Sequence, residues 1–483
     1  MRPGFPYRRQ RPGAQTRATG RLGDHDRPRR RLWRVLAIVA LSAAGLACAG
    51  RWVAHRGLAL GLRSVFRAAE EGRVPTVVVA LRLGVSPGAR DERGFPLLCR
   101  AVGHNQAGLA ALLIARGASP NAASPEGVTP LHLAAGADDL HTARLLLRHG
   151  ANPNAPSPRY GTPLYAAAFH GDLAMVRLLL EQAADPDTPS GRGWAPIHIA
   201  AQNGSTSVIR LLIEHGANTN APLPNGLQPI HLAALEGRHG AVKALLQAGA
   251  SASARTPDQR TPLLEAAIAG AAPVARLLLD HGANANAGDA EGRTPLLCAV
   301  EGGHADVLEL LLNRGARVET RTQEGETPLM AAAQQGSAMM ARALVQRGAD
   351  PTAADRSGRT PLHYAAHEGH TAVARLLLEH GGSPTARAVG GETPLHAAAA
   401  AGDHDVLQLL LEHGAPPNAT TDDGETPLHV ACLLGDVAVV QALLDHGAAP
   451  NARDAHGRTP LTVAYTGGAR DAAGLLRARG GTH

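Results

Sequence analysis

The stretch TPLHYAAHEGHTAVARLLLEHGGSPTARAVGGE, residues 360–392, contains the pattern that decides the fold. Thr360 is a favourable helix N-cap, and Pro361 suits the first helical position, where a missing N–H costs nothing. Aliphatic residues then recur at spacings of three and four, which predicts a second, amphipathic helix. Gly369 and Gly381 stand where the two helices should end in a left-handed conformation. The stretch therefore predicts two short helices and a loop.

The same pattern recurs every 33 residues without a slip in phase. Its first position is occupied in turn by Arg63, Pro96, Thr129, Thr162, Ala195, Gln228, Thr261, Thr294, Thr327, Thr360, Thr393, Thr426 and Thr459. One copy cannot bury its apolar stripe alone, so the copies must stack. Because only 2% of the residues are aromatic, the core must be built from small aliphatic side chains.

The TPLHxAA motif at 360–366, complete in three copies and partly matched in most of the others, resembles the ankyrin repeat. The resemblance implies an all-α fold, an α-solenoid of about 13 ankyrin repeats over residues 63–480. Each repeat is expected to be a helix–turn–helix followed by a β-hairpin finger. The first repeat lacks the Thr-Pro start and the last stops before a finger, so we expect both to act as caps.

Three positions depart from the glycines of the pattern. Asn105 and Asp138 replace the glycine after the first helix, and Ala183 replaces the glycine after the second. We expect all three in the left-handed region, which asparagine and aspartate tolerate. Alanine there costs roughly 1 kcal/mol or more.

The segment before the repeats has its own character. Residues 1–31 are rich in arginine, proline and glycine, which predicts a disordered tail. The first 34 residues hold eleven arginines against Asp24 and Asp26, so the formal charge of +6 belongs to the tail. The rest of the chain is slightly acidic and offers no broad basic face to nucleic acid.

Residues 32–53 predict a transmembrane anchor or a signal segment, followed by a linker at 54–62. An uncharged run of sixteen residues lies between Arg34 and Arg51, and Trp33 and Trp52 flank it about 28 Å apart on a helix. The arginine bias places the N-terminus in the cytoplasm and the repeats in the periplasm or outside. Alternatives are cleavage or lipidation near Cys48, or a cytosolic chain with a buried apolar helix.

The sequence predicts no catalytic, cofactor-binding or metal-binding residue. Histidines recur at the fourth position of six repeats and at the twenty-first of six, but equivalent positions lie about 10 Å apart, whereas zinc needs nitrogens at ~2.0–2.1 Å. We therefore expect structural histidines. Cys99, Cys298 and Cys432 lie in distant repeats, too far apart for a disulfide. A P-loop and a nucleophile elbow are both missing from the sequence.

By resemblance, a protein partner of unknown identity would bind the concave face, formed by finger tips and first helices. Position 33 of the repeats reads Leu62, Phe95, Val128, Gly161, Trp194 and Leu227, then Arg260, Arg293, Glu326, Arg359, Glu392, Glu425 and Arg458. The hypothesis is a partner site centred on Phe95, Tyr160, Phe169, Trp194, Leu227 and Leu235, with Arg260, Arg293 and the later arginines fixing register. The alternatives are side chains that only cover one another, or membrane contact.

These observations predict a non-catalytic protein–protein interaction scaffold, without nucleic-acid or small-molecule partners. The arginine-rich, lysine-poor composition suggests a bacterial source, and the apolar segment suggests the cell envelope. A secreted effector that binds foreign proteins and a cytosolic regulatory adaptor are the alternatives. The expected role of Trp194 is partner contact.

Overall fold

The computed structural model describes residues 57–483, and these residues form two bodies. The N-terminal body comprises the described residues up to Ala200 together with Ser205–Asn218, and the C-terminal body comprises Ala201–Gly204 and Thr219–His483. The predicted tail, 1–31, and the predicted membrane segment, 32–53, lie outside the described residues. Among the helices that are described, none is both long and apolar enough to cross a bilayer.

Two helices per repeat make up the described chain. Helices α1 to α10 are Gly57–Glu70, Val74–Arg82, Leu97–Gly103, Ala107–Ala115, Pro130–Gly136, Leu140–Arg148, Pro163–His170, Leu173–Glu181, Pro196–Asn203 and Thr206–Glu214. Helices α11 to α26 are Pro229–Leu235, His239–Gln247, Pro262–Ile268, Ala272–Asp280, Pro295–Glu301, Ala305–Asn313, Pro328–Gln334, Ala338–Gln346, Pro361–His367, Thr371–Glu379, Pro394–Ala401, His404–Glu412, Pro427–Leu434, Val437–Asp445, Pro460–Thr466 and Arg470–Ala478.

Helix α1 corrects one boundary. It begins at Gly57, inside the segment 54–62 that was predicted to be a linker. The first repeat has Arg63-Ser64 where later repeats have Thr-Pro, so no N-cap and no proline fix a helix start there. The helix therefore extends further toward the N-terminus.

Stacking within each body buries the apolar stripes. Helices α1, α3, α5 and α7 pack in order in the N-terminal body, and the odd-numbered helices from α11 to α25 pack in order in the C-terminal body. Leu113, Leu146 and Leu179 occupy equivalent positions of three second helices, and all three are fully buried. Each such leucine contributes about 1.5–3 kcal/mol by leaving water. The predicted α-solenoid architecture is confirmed within each body.

Histidines at the fourth position tie the start of the first helix to the last residue of the same repeat. In the third repeat, the N–H of Thr129 donates to Nδ1 of His132 at 3.1 Å, so the neutral ring carries its proton on Nε2. Nε2 lies 3.0 Å from the carbonyl oxygen of Gly161, which directly precedes the first position of the next repeat. His231, His363, His396 and His429 make the corresponding bond in the C-terminal body at 3.0–3.3 Å. The expectation that these histidines are structural is confirmed.

A second connection uses asparagines that the sequence analysis did not single out. Nδ2 of Asn121 donates to the carbonyl of Gly150 at 2.8 Å, and its Oδ1 accepts the N–H of Asn152 at 2.7 Å. Asn154, Asn286, Asn418 and Asn451 make the same clamp from the same position of four other repeats. The recurrence of asparagine at the twenty-sixth position was the available signal.

The fingers, which are the loops between the second helix of one repeat and the first helix of the next, are turns. Among the described residues, two fingers contain an isolated antiparallel β-bridge, Arg90 with Pro96 and Ser157 with Gly161, and no finger contains an extended strand. The predicted β-hairpins are therefore present at most as single bridges. In the C-terminal body, neighbouring fingers are joined by a backbone hydrogen bond in which the N–H at position 30 donates to the carbonyl at position 31 of the preceding finger. The first bond of this series is from Ala290 to Asp258 and the last is from Ala455 to Asp423, at 2.7–2.9 Å. In the N-terminal body, prolines at this donor position, Pro125 and Pro158, lack that N–H.

Backbone conformations at the exceptional positions agree with the sequence. Asn105, Asp138 and Ala183 have φ of 59°, 54° and 59°. Gln259 also has a positive φ, 62°, which was not predicted, although it stands where most repeats have glycine. The carbonyl of Ala183 accepts a bond from Asn154 at 3.1 Å, which ties this left-handed alanine to the preceding repeat.

In the thirteenth repeat, the fourth position is not a histidine. Thr462 stands there, and Oγ1 of Thr459 donates to the carbonyl of Thr482 at 2.7 Å. The ring of Tyr465 stacks on His483 with centroids 5.4 Å apart. Aromatic stacking at this end fits a cap, and the capping role of the terminal repeats stays a prediction.

Acid should weaken the fold through the buried histidines. Burial lowers the pKa of His132 and of His231 to about 4, from the 6.5 usual for histidine, and protonation of Nδ1 would break the bond from the first-position N–H. The unfolded chain therefore binds more protons between pH 6.5 and 4, and stability falls as the pH drops through this window, by on the order of 3 kcal/mol per histidine.

Urea denaturation at pH 7.5 and at pH 4.5 measures this loss. Leucine occupies the fourth position in the seventh and eighth repeats, so the matched variant is His132→Leu with His231→Leu. We expect the variant to lose less stability than the wild type between the two pH values. An equal loss in both proteins would show that these histidines are not the source.

Candidate functional site

The candidate site lies on the finger face, which we define as the side chains at positions 33, 5 and 8 of each repeat. In the N-terminal body, Phe95, Phe169 and Trp194 are each partly exposed on this face. Tyr160, at position 32, is only 6% exposed. The structure therefore gives three of the four predicted aromatic side chains some access to solvent.

Phe95 is held by a network around Asp91. The N–H of Phe95 donates to Oδ1 of Asp91 at 2.8 Å, and Nε of Arg100 donates to Oδ2 at 2.8 Å. The Arg100 guanidinium carbon lies 4.9 Å from the centre of the Phe95 ring, a cation–π distance. Burial alone would raise the pKa of Asp91, but the bonds from Arg100 and Phe95 lower it. The ring is fixed in place before any partner binds.

Trp194 covers the buried fourth-position histidine of its neighbouring helix, His198. Its ring lies edge-to-face to His198 with centroids 6.2 Å apart, and His198 is 1% exposed. The backbone of Trp194 closes its finger through a bond from the N–H of Ser190 to the Trp194 carbonyl at 2.9 Å. The indole therefore has a packing role, while part of its surface remains exposed.

Tyr160 packs into its own finger. The Arg159 guanidinium carbon lies 5.4 Å from the ring centre, and burial followed by the nearby Glu126 raises the pKa of the phenol. Gly161, not Tyr160, takes the positive φ of this turn, at 72°. Because the ring is buried, Tyr160 offers a partner little contact area.

In the C-terminal body, the same face carries charge that is paired within the chain. Nη2 of Arg260 donates to Oε2 of Glu265 at 2.7 Å, and Nε of Arg293 donates to Oδ2 of Asp289 at 3.0 Å. Both arginines thus bind carboxylates of their own chain, and their contact with a partner stays a prediction. Leu227 and Leu235 are partly exposed.

A hollow on the finger face of the C-terminal body was not found from the sequence. We call it the alanine hollow, because Ala397 and Ala400 of α21 line it. Its cavity volume is about 340 Å³. The other lining residues are Gln334, Arg359, His363, Tyr364, His367, Glu368, Glu392, His396, Thr421, Glu425 and Val430. The available signal was the run of five alanines at 397–401 between repeats with larger side chains.

Comparison with known proteins agrees with this geometry. A family model of ankyrin repeats, three copies long, matches residues 65–157, 98–190, 164–256, 230–322, 315–388 and 395–482. The chain belongs to the ankyrin repeat family. Ankyrin repeats generally mediate protein–protein interaction and are typically non-catalytic. A search of curated proteins returned no match.

The cysteines of the described repeats are buried, and the histidines near the ends of the second helices bond to helix carbonyls. Cys99, Cys298 and Cys432 are buried, and burial raises the pKa of each thiol to about 12. The described residues contain no group of three or more histidine, cysteine or acidic side chains placed to hold a metal ion. The twenty-first-position histidines, such as His149, lie with Nδ1 about 2.9 Å from a carbonyl four residues earlier in the helix.

Glu265 is the one fully buried acidic side chain on this face among the described residues. Its Oε1 and the Nε of Arg260 have no hydrogen-bond partner in the described chain. Burial raises the pKa of Glu265, against the opposing effect of Arg260. A buried pair of this kind is costly to break but contributes little when intact.

Two substitutions should therefore act in opposite ways. We expect Arg260→Ala to destabilise the protein at pH 7 by about 3 kcal/mol, because a buried carboxylate loses its partner. The loss should shrink as the pH falls, because burial raises the pKa of Glu265 and protonation removes the unpaired charge. Glu265→Leu should leave stability unchanged or raise it, since Leu232 occupies the equivalent position one repeat earlier.

Urea denaturation of the full chain measures both effects. Arg356→Ala is the matched control, because its pair with Glu324 spans 3.7 Å between exposed side chains and should contribute less than about 1 kcal/mol. If Arg260→Ala lowered the free energy of unfolding no more than Arg356→Ala, the Arg260–Glu265 pair would not contribute to stability.

Proposed function

We propose that this ankyrin repeat protein is a non-catalytic scaffold that binds a protein partner on the finger face of its N-terminal body. The observation that carries the proposal is the partial exposure of Phe95, Phe169 and Trp194 on this face. From Arg260 onward, position 33 of the C-terminal body holds charged side chains, several of which form ion pairs within the chain. The repeating scaffold does not require this difference, since both bodies use the same helices and histidine bonds.

The three rings suit a binding surface because they are already ordered. Phe95 is fixed by Arg100, Phe169 lies edge-to-face to His170 with centroids 5.1 Å apart, and Trp194 rests on His198. Binding then costs little side-chain entropy, and aromatic side chains that become fully buried contribute most to interface energies. Covering these rings would also remove apolar surface from water.

The charged positions of the C-terminal body fit a secondary role. Arg359 lies 3.6 Å from Glu392, and Arg458 lies 3.1 Å from Glu425, all four being partly or largely exposed. Exposed pairs of this kind contribute little to stability and can exchange partners. They would influence the rate and the register of association more than its strength.

Partner recovery tests the proposal. The full chain, tagged at His483, is crosslinked in its host and the partner is identified by mass spectrometry. We expect Trp194→Ala with Phe169→Ala to reduce recovery of that partner by about tenfold or more, because each anchor contributes roughly 2 kcal/mol. Leu83→Ala is the matched control, since Leu83 is 81% exposed, belongs to the same body and lies outside the finger face.

Equal recovery by the double variant and the Leu83→Ala control would contradict the proposed surface. Thermal unfolding of both variants, followed by circular dichroism, separates lost binding from lost folding. Phe169 and Trp194 are only partly buried and Leu83 is largely exposed, so both variants should unfold within a few degrees of the wild type.

We also propose that the scaffold works in a bacterial cell envelope, anchored by residues 32–53, with its repeats outside the cytoplasm. Support comes from the uncharged run between Arg34 and Arg51 and from the arginine excess before it. A reporter active only outside the cytoplasm, fused at His483, should be active. A cytoplasmic-only reporter should be inactive at the same position, and the reverse result would identify a cytosolic adaptor.

Sequencing of the mature N-terminus completes this test. A retained Met1 or a nearby residue is expected for an anchor. A mature chain that starts close to Cys48 and is found in the medium would identify a secreted effector instead.

A further inference from the structure

The alanine hollow exists because one repeat has small side chains where its neighbours have larger ones. At position 5, Ala397 lies between Tyr364 and Val430 of the adjacent repeats. At position 8, Ala400 lies between His367 and Leu433. The cavity of about 340 Å³ lies within the range of roughly 300–1,000 Å³ typical of ligand pockets. It can accept a side chain of a partner but not a folded element.

The lining of the hollow is acidic. Glu368, Glu392 and Glu425 line the cavity together with a single arginine, Arg359, which lies 3.6 Å from Glu392. The two buried histidines of the lining, His363 and His396, use both ring nitrogens in bonds within the chain. Burial lowers the pKa of each, so they add no positive charge at neutral pH. Arg458, outside the lining, lies 3.1 Å from Glu425 but is shared with Asp454 at 2.6 Å. The three glutamates and Asp454 therefore exceed the two arginines by two negative charges.

The aromatic ring of Tyr364 forms a flat side of the hollow beside these carboxylates. The hydroxyl of Tyr364 donates to Oδ2 of Asp355 at 2.7 Å, which fixes the ring at the side of the hollow. Desolvation by burial, together with that bond, raises the pKa of the phenol, so it remains a neutral donor. A fixed aromatic face beside carboxylates is the environment in which a guanidinium group can stack and form paired hydrogen bonds.

We propose that the alanine hollow binds an arginine side chain of a protein partner. The aliphatic part of the arginine would lie on Ala397 and Ala400, and its guanidinium would lie against Tyr364 and between the carboxylates of Glu392 and Glu425. Lysine fits less well, because an ammonium group cannot form a planar fork or stack on the ring. The inference rests on the proposed protein-binding function and adds a chemical requirement to the partner.

A defined peptide tests the hollow without knowledge of the partner. The probe is acetyl-Ser-Gly-Arg-Gly-Ser-amide, observed by saturation-transfer NMR with the full chain. Its comparison peptide carries citrulline, which keeps the shape of arginine and removes its charge. We expect the citrulline peptide to bind about tenfold more weakly, as the loss of charge-assisted hydrogen bonds predicts. Binding of the arginine peptide should also fall as salt is added.

Two pairs of variants locate the binding. Ala397→Leu fills the hollow and should abolish saturation of the arginine peptide, whereas Ala331→Leu, at the same position two repeats earlier and outside the lining, should not. Glu392→Gln with Glu425→Gln should weaken binding by about tenfold. Glu326→Gln, also at position 33 and outside the lining, should have no effect. Circular dichroism of every variant confirms folding.

No saturation of the arginine peptide, equal binding of the citrulline peptide, or full binding to a folded Ala397→Leu variant would each overturn the inference. These outcomes are separable from the test of the proposed function, which uses Trp194 and Phe169 of the N-terminal body. Loss of partner recovery there with no peptide binding here would leave the scaffold intact and remove only the arginine pocket.

Discussion

The described fold depends on the fact that one 33-residue repeat cannot bury its own apolar stripe. Burial requires a neighbour, and the contact is made specific by hydrogen bonds at the junctions between repeats. His132 bonds to the carbonyl of Gly161 at the end of its own repeat, and Asn121 clamps the backbone around Gly150 in the next repeat. Both bonds use buried or turn backbone groups that would otherwise lack partners, so a repeat in the wrong register would leave polar groups unsatisfied.

The stacking of repeats does not determine the residue type at most positions of the finger face. The first-position threonine, the alanine pair and the second-helix leucines are fixed by packing, whereas most side chains at positions 33 and 8, and some at position 5, are at least partly exposed and can vary. The N-terminal body uses this freedom for partly exposed rings such as Trp194. The C-terminal body uses it for ion pairs such as Arg260–Glu265 and for a hollow at Ala397. A uniform scaffold thus carries two chemically distinct surfaces.

The sequence was sufficient to predict the repeat, its helices and the left-handed residues Asn105, Asp138 and Ala183, because each follows from local geometry or from periodicity. It was insufficient where two distant choices combine. The pairing of Arg260 with buried Glu265 depends on how the finger turns into the next helix. The alanine hollow depends on the alignment of four successive repeats and on small side chains where neighbouring repeats have larger ones, and no sequence motif identifies such a combination. The start of α1 at Gly57 could not be predicted because the first repeat has Arg63-Ser64 in place of the Thr-Pro pair that marks the helix start in later repeats.

Trp194 shows why packing and binding need not be alternatives. Its ring covers His198, which is 1% exposed and accepts the N–H of Ala195 at 3.1 Å. A partner that covered the exposed part of the indole would exclude further water from this histidine. Since a bond in a drier environment is electrostatically stronger, binding at the finger face would strengthen the bond that fixes the start of α9. The tryptophan therefore links the exposed surface to the hydrogen bonds that hold the helices in place.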